Sequence, residues 1–282
     1  MPVPNFGKFE TAWCPGCGNF AVLDALKDAL VKLNLDPHNL VLVSGIGQAA
    51  KLPHYLNCNV FNGLHGRAIP AATGIKIANN KLVVLVSSGD GDIYGEGGNH
   101  LIHAIRRNID ITVIVHNNQV YALTKGQASP TSDLGYVTKV QPRGVIEEPV
   151  HPLSLAIALG CGFAARSFAG DKEHLSLMIQ AGVRHKGFAL IDTLQWCVTF
   201  NKKNNFSWYK QRSYKLGADY DPTDKLKAFE KSLEWGERIP IGIIYKNGRP
   251  SYEEACGLMK ERPLVEQETS PLKVKAILKE FL

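Results

Sequence analysis

Five short runs along the chain are apolar at nearly every position: Leu40–Ser44, Leu82–Ser88, Ile111–His116, Phe163–Phe168 and Ala189–Thr193. A strand with one wet face alternates apolar and polar residues, whereas a strand covered on both faces by helices does not. These runs therefore read as buried strands of a parallel sheet. Between them the spacing changes to the helical period. Asn19–Leu33 places Leu23, Leu26, Leu30 and Leu33 on one face, and Gly97–Arg107 carries Leu101, Ile102 and Ile105. Strands alternating with helices predict an α/β fold, a doubly wound and mostly parallel sheet whose ligands sit beyond the carboxyl ends of the strands.

After Thr199 the pattern changes. Residues 202–215 hold Lys202, Lys203, Lys210, Arg212 and Lys215 with no acidic residue, interleaved with Phe206, Trp208 and Tyr209. Such a stretch is either a solvated loop or an arm seated on a partner subunit, where aromatic and arginine side chains act as anchors. Helical stretches follow over Asp224–Trp235, Tyr252–Lys260 and Leu272–Phe281, separated by prolines. The expected organisation is a binding domain over 1–200 and a C-terminal extension over 201–282 that contacts another subunit.

Composition narrows the class. The 282 residues are 45% apolar and 21% charged, ordinary for a globular chain with a sizeable core. The net charge of +6 is too small and dispersed to argue for nucleic acid, but it suits an acidic protein partner. No run approaches the roughly 18 apolar residues of a membrane span. The opening Met1-Pro2-Val3-Pro4 lacks the basic flank and apolar run of a signal peptide. A cytoplasmic protein is expected, its six cysteines serving as metal ligands, catalytic groups or core filler rather than disulfides.

Two motifs fall at strand ends. Ser87-Ser88-Gly89-Asp90-Gly91-Asp92 closes one apolar run and Asn117-Asn118-Gln119-Val120-Tyr121 closes the next, so both lie on one edge of the sheet. A hard divalent cation such as Mg²⁺ takes oxygen ligands, usually one or two protein groups plus phosphates and waters. Asp90 offers a carboxylate, Asn118 an amide oxygen and Val120 a backbone carbonyl. Gly89 and Gly91 let the backbone approach a phosphate, and the helix starting near Gly97 points its N-terminus at that charge. Either fragment alone reads as a plain turn; together, at neighbouring strand ends, they read as a metal–diphosphate site.

Trp13-Cys14-Pro15-Gly16-Cys17-Gly18 is a C-x-x-C motif open to three readings. Zinc would want a second close pair, which the chain lacks. A thioredoxin-type dithiol should follow a first strand, and the residues before Cys14 have poor strand character. A [4Fe–4S] cluster usually takes four thiolates, and Cys58 and Cys197 are the candidates to join Cys14 and Cys17. Cys161 and Cys256 read as core filler.

These segments together resemble the beta subunits of archaeal and bacterial 2-oxoacid:ferredoxin oxidoreductases. The resemblance runs over roughly residues 10 to 205. It includes Trp13–Asn19, Ser44-Gly45-Ile46-Gly47, Gly63-Leu64-His65-Gly66-Arg67, Gly89–Asp92, Asn99–Asn108 and Asn117–Thr131. It implies thiamine diphosphate as the cofactor, lined by Ile46, Gly47, His65, Asp92, Tyr121 and Leu123 beside the residues above, with an iron–sulfur cluster close by. Lys51 and Lys125 follow loops near this site and are candidates to meet a substrate carboxylate. One departure stands out. Many members carry a cluster cysteine directly after Gly-Ile-Gly, where this chain has Gln48, and Cys58 is the expected substitute.

The resemblance further implies oxidative decarboxylation of a 2-oxo acid, with coenzyme A taking the acyl group and ferredoxin the electrons. 2-Oxoglutarate is favoured over pyruvate or branched substrates. It also implies dependence on an alpha (or fused gamma-alpha) subunit, because no second thiamine-type domain is evident in the chain. A non-redox thiamine decarboxylase or synthase would leave the cysteines idle. A redox scaffold would leave the diphosphate motif idle.

Overall fold

A computed structural model describes residues 4–260, 262–268 and 270–281; residues 1–3, 261, 269 and 282, which the two expected segments include, lie outside the described residues. The helices are α1 (Asn19–Lys32), α2 (Ala68–Ala78), α3 (Gly98–Arg107), α4 (Pro152–Ala158), α5 (Lys172–Arg184), α6 (Phe206–Arg212), α7 (Lys225–Leu233), α8 (Tyr252–Ala255), α9 (Gly257–Lys260) and α10 (Pro271–Lys279). The strands are β1 (Leu40–Ser44), β2 (Asn59–Asn62), β3 (Val83–Gly89), β4 (Thr112–Asn117), β5 (Val120–Tyr121), β6 (Gln127–Ala128), β7 (Phe163–Phe168), β8 (Ala189–Leu194), β9 (Ser213–Lys215) and β10 (Ile239–Lys246). Eight of them form one sheet in the order β2-β1-β3-β4-β8-β7-β10-β9. Every neighbouring pair is parallel except β7 with β10.

The near-continuous apolar runs have the cause expected of them: alternate residues of one strand feed two separate cores. Leu40 and Leu42 of β1 pack with Leu26 and Leu30 of α1 and with Leu175 and Ile179 of α5. Val41 and Val43 face the other way, toward Ile69 of α2 and Leu101 and Ile105 of α3. Leu26 is fully buried, and truncating such a leucine to alanine costs about 2–5 kcal/mol. The doubly wound architecture follows.

Side chains fix the helix ends. Asp171 caps α5 by accepting from His174 N at 3.1 Å, and Asn205 caps α6 by accepting from Trp208 N at 3.0 Å. Asn108 closes α3 in the left-handed region, at φ 57°. Its amide then accepts from Phe188 N and donates to the Pro250 carbonyl, tying α3 to the carboxyl-terminal segment.

The segment after residue 200 departs from expectation. It continues the sheet instead of hanging off it as an arm. A β7 edge left unpaired would expose a row of backbone donors and acceptors, and β10 covers that edge. Tyr209, expected among exposed anchors, is fully buried against Phe168, Leu194, Ile239 and Ile241. Lys202, Lys203 and Lys210 are exposed. The helix expected over Tyr252–Lys260 is two short pieces, Tyr252–Ala255 and Gly257–Lys260.

Candidate functional site

Parallel strands deliver their following loops to one edge. The register sets Gly89 beside His116 and Asn117 beside Leu194, so the ends of β3, β4 and β8 are level. With the loop after β1 they line a cavity open to solvent, with about 450 Å³ of space between its walls and the solvent. Ile46 and Gly47 come from the first loop, Gly89, Asp90, Gly91 and Asp92 from the second, and Asn118, Val120, Tyr121 and Leu123 from the third. His65 enters from the turn before α2.

Asp90 is buried, and Ser129 Oγ and Thr131 Oγ1 donate to its Oδ2 at 2.5 and 2.7 Å. Burial nevertheless raises its pKa to about 6, outweighing those hydroxyls and the backbone of Asn118, which favour the charged form. A carboxylate held this way wants a cation. The floor of the cavity is backbone. A Cβ on Gly89 would meet only Ala49 Cβ, at 3.9 Å, and one on Gly47 would meet nothing within 4 Å. The donor set and this cradle fit a divalent cation carrying a diphosphate. The sequence pattern assigns Ser129 and Thr131 no role, because they reach Asp90 only through the fold.

Asp92 has a different job. Its Oδ1 accepts the backbone N–H of Ile46 at 3.0 Å and of Gly66 at 2.8 Å, and its Oδ2 accepts from Ser88 Oγ at 2.9 Å. It therefore sets the two loops that bring Gly47 and His65 to the cavity. His65 Nδ1 lies 3.1 Å from Asp92 Oδ1 and 3.3 Å from Glu96 Oε2. Gly91 must be glycine, because a Cβ there would stand 2.2 Å from Tyr121 Cε1.

Asn118 folds its own turn. Its Oδ1 accepts from Val120 N at 3.1 Å, while Gln119 sits in the left-handed region at φ 58°. Gln119 then reaches the carboxyl-terminal segment, its Oε1 accepting from Tyr209 OH at 2.9 Å and from Asn204 Nδ2. The buried Tyr209 thus supports the Asn-Asn turn from behind.

Lys51 and Lys125 do not line the cavity. Lys51 Nζ donates to the Ala12 carbonyl at 3.4 Å. Lys125 is exposed on the tight turn after β5, at φ 86°.

A second cavity, about 390 Å³, is ringed by Cys14, Cys17 and Cys197. Gly16, at φ 76°, lets Cys17 N reach back to the Cys14 carbonyl at 3.0 Å. Trp196 Nε1 donates to Gly16 O at 2.8 Å, and Trp13 Nε1 donates to Gln48 O at 2.8 Å. These bonds pin the loops after β8 and β1 to the amino-terminal turn. Each sulfur has a local donor: Thr199 Oγ1 on Cys14 at 3.3 Å, the Phe200 N–H on Cys197 at 3.4 Å, and the backbone of Asn19 on Cys17. Burial pushes the Cys17 thiol up to about 11, and the other two sulfurs add to that by charge repulsion. The three thiols, Cys197 buried, Cys17 half-buried and Cys14 exposed, border one cavity and fit the thiolate ligands of an iron centre. Among the described residues no three His, Cys, Asp or Glu side chains converge tightly enough for a single metal ion. A cubane is wider than one ion, and the cysteines surround a cavity.

Cys58 is not with them, contrary to expectation. The turn over Ala49–Tyr55 carries the chain back down the sheet, and β2 starts with Asn59 opposite Val41. The Cys58 sulfur lies against the backbone of Leu42 and packs into the core under α1. Leu42 is two residues, about 7 Å of strand, short of Ser44, where β1 ends.

The two cavities share Gln48, Asn118 and Ala122 as common wall. Gln48 Oε1 is buried with no hydrogen-bond partner, an arrangement that costs about 1–3 kcal/mol when nothing else fills it. Behind the wall, His116 accepts from Ser87 Oγ at 2.9 Å at Nε2 and donates from Nδ1 to Asn19 Oδ1 at 2.8 Å. Burial lowers its pKa to about 4, so it is a neutral strut between β4 and the cysteine turn. Beyond it, buried Asp192 accepts from Tyr94 OH and Asn117 Nδ2, each at 3.0 Å, and lies 3.7 Å from Arg166 Nε.

Residues 42–193 match the family described as thiamine pyrophosphate enzyme, C-terminal TPP binding domain. A curated 2-oxoacid:ferredoxin oxidoreductase subunit beta from Sulfolobus sp. is 51% identical over 256 residues, spanning 86% of this chain and 84% of its own length. The chain belongs to the beta subunits of the 2-oxoacid:ferredoxin oxidoreductases. A 2-oxoglutarate synthase subunit KorB from Methanocaldococcus jannaschii is 42% identical, covering 89% of this chain and 93% of itself. Among solved structures, the 2-oxoglutarate:ferredoxin oxidoreductase from Magnetococcus marinus, with 2-oxoglutarate, coenzyme A and succinyl-CoA bound, superposes with a TM-score of 0.90. It is 32% identical, over 96% of this chain and 94% of the other. Residues 197–261 match a second family, the C-terminal part of the pyruvate ferredoxin oxidoreductase beta subunit. The carboxyl-terminal continuation of the sheet is thus itself a recurring part of such beta subunits. As a beta subunit of an oxidoreductase, the chain has an alpha subunit as its implied partner. Among the described residues no helix is long and apolar enough to cross a membrane.

Proposed function

We propose that this beta subunit holds thiamine diphosphate with Mg²⁺ in the larger cavity and a [4Fe–4S] cluster in the cysteine cavity. With its alpha (or fused gamma-alpha) partner it would carry out the coenzyme A-dependent oxidative decarboxylation of 2-oxoglutarate, passing electrons to ferredoxin. The observation that carries this reading is the shared wall: Gln48, Asn118 and Ala122 line both cavities, so one layer of side chains separates a diphosphate cradle from the three thiols.

When bound, thiamine diphosphate supplies the carbon nucleophile for a 2-oxo carbonyl and the cluster takes electrons singly. The chain's own residues do the rest. Asp90, as carboxylate, would hold the cation with the Asn118 amide oxygen and the Val120 carbonyl. Gly47 and Gly89 leave the backbone open to the phosphates, while Gly91 makes room for the Tyr121 ring. Asp92 clamps the loops bearing Ile46 and His65, and His65 Nδ1 faces the carboxylates of Asp92 and Glu96. The donors at each sulfur would help set the potential of an iron centre.

Ile46 and Leu123, which line the cavity, are exposed apolar side chains, as is Leu64 next to His65 in sequence. A covering subunit would bury them and exclude water from the site. The names and bound ligands of the similar proteins support 2-oxoglutarate as substrate. The test is a steady-state panel of 2-oxo acids on the assembled complex, followed by ferredoxin reduction. A preference for pyruvate or branched 2-oxo acids would overturn the substrate assignment. Turnover that reduces no ferredoxin would overturn the redox assignment.

A further inference from the structure

The cysteine cavity has three thiols and one wall of different chemistry. Gln48 stands on that wall, its backbone fixed by the Trp13 indole at 2.8 Å. Its side-chain Oε1 is buried and unpartnered, although the neighbouring polar groups Asn19 and Asn118 are each engaged elsewhere. No other thiol stands in for it. Cys58 lies down the sheet beside Leu42, Cys161 is buried with its thiol on the Phe163 carbonyl at 3.1 Å, and Cys256 lies between the two short helices of the carboxyl-terminal segment.

Resting on the cluster reading above, we propose that the iron–sulfur cluster of this chain is bound by only three thiolates, Cys14, Cys17 and Cys197, and that its fourth iron faces the Gln48 amide oxygen. A neutral, hard oxygen is a poor match for an iron centre that prefers soft thiolate. That corner is therefore the weakest bond of the cluster. Because Gln48 also lines the larger cavity, the labile iron is the one nearest the cofactor. Replacing one thiolate by a neutral ligand also removes a negative charge from the site, which shifts the cluster potential upward.

The chemistry that reveals such a corner is mild oxidation. Ferricyanide takes one electron from the cubane, which then releases its amide-bound iron as a ferrous ion and leaves a three-iron cluster on the three cysteines. The experiment uses the complete complex, purified anaerobically. Iron, acid-labile sulfide and the electron paramagnetic resonance spectrum are followed while ferricyanide is added, for the wild type and for Gln48→Cys and Cys58→Ser. The expected result is a three-iron signal in the wild type, with loss of about one iron in four and no loss of sulfide. Gln48→Cys supplies a fourth thiolate and should keep its iron and lower the potential. Cys58→Ser should behave as the wild type.

A wild-type cluster that keeps all its iron under the same treatment overturns the proposal while leaving the cluster reading intact. So does loss of iron caused by Cys58→Ser alone. If Gln48→Cys does not assemble, the wild-type and Cys58→Ser titrations still decide. A wild-type complex without iron or sulfide overturns the cluster reading itself, and this proposal with it.

Discussion

The carboxylate of Asp92 receives the backbone N–H of Gly66 at 2.8 Å, although the two residues are 26 positions apart. The same oxygen receives Ile46 N, so one buried charge holds two loops of the cavity wall. Asp92→Ala should leave three donors without an acceptor. The expected cost is about 3 kcal/mol of stability and a loss of cofactor affinity larger than any direct contact would explain. Thermal unfolding and calorimetric titration of the complex with thiamine diphosphate measure the two effects separately.

Burial of Asp90 makes cation binding depend on pH. Its pKa is raised to about 6 in the fold, so the folded, cation-free chain binds a proton that the unfolded chain has already released. The associated stability is present in acid and is lost as pH rises through about 6. Cation binding must displace that proton, so Mg²⁺ affinity should fall about tenfold per pH unit below that value. Asp90→Asn should fold at least as well as the parent at neutral pH and bind no Mg²⁺–diphosphate. Isothermal titration across pH reads both.

His116 acts in the opposite direction. Its pKa is lowered to about 4 by burial, so the unfolded chain takes up the proton first. Its contribution to stability is complete above the ordinary histidine range and is lost as pH falls toward about 4. His116→Gln should remove one proton from the acid-unfolding curve in that window. Denaturant melts at several pH values test this.

Arg166 and Asp192 are both buried, and burial disfavours both charges. Their value lies in each other's presence. Asp192→Asn should cost about 3–5 kcal/mol, because it leaves a buried guanidinium unpaired. The double variant Arg166→Met with Asp192→Asn should recover much of that loss. A double-mutant cycle on the thermal midpoint is the check.

Much of this architecture was legible in the residues. The apolar runs at Leu40–Ser44 and Phe163–Phe168 have the same bounds in the structure, because strands buried on both faces leave an unbroken signature. The motifs at Asp90 and Asn118 meet because parallel strands put their loops on one edge, and that follows from strand order alone. What the residues hid depends on register and on pairing across long separations. Cys58 follows Gln48 closely in sequence, but the turn over Ala49–Tyr55 reverses direction and spends those residues going back along β1. Tyr209 sits in a basic, aromatic stretch that looks exposed, and only the packing of β10 against β7 shows why it is buried. The hydroxyls of Ser129 and Thr131 reach Asp90 across 39 and 41 residues, a contact no local pattern encodes.

The central claim is that the diphosphate cavity and the cysteine cavity form one electron path across the wall of Gln48, Asn118 and Ala122. Its most direct test is freeze-quench electron paramagnetic resonance of the anaerobic complex mixed with 2-oxoglutarate, in the absence of ferredoxin. The expected result is a reduced-cluster signal that builds before turnover, and that vanishes in Asp90→Ala although the iron content is unchanged. A cluster that stays oxidised while 2-oxoglutarate is decarboxylated would contradict the account.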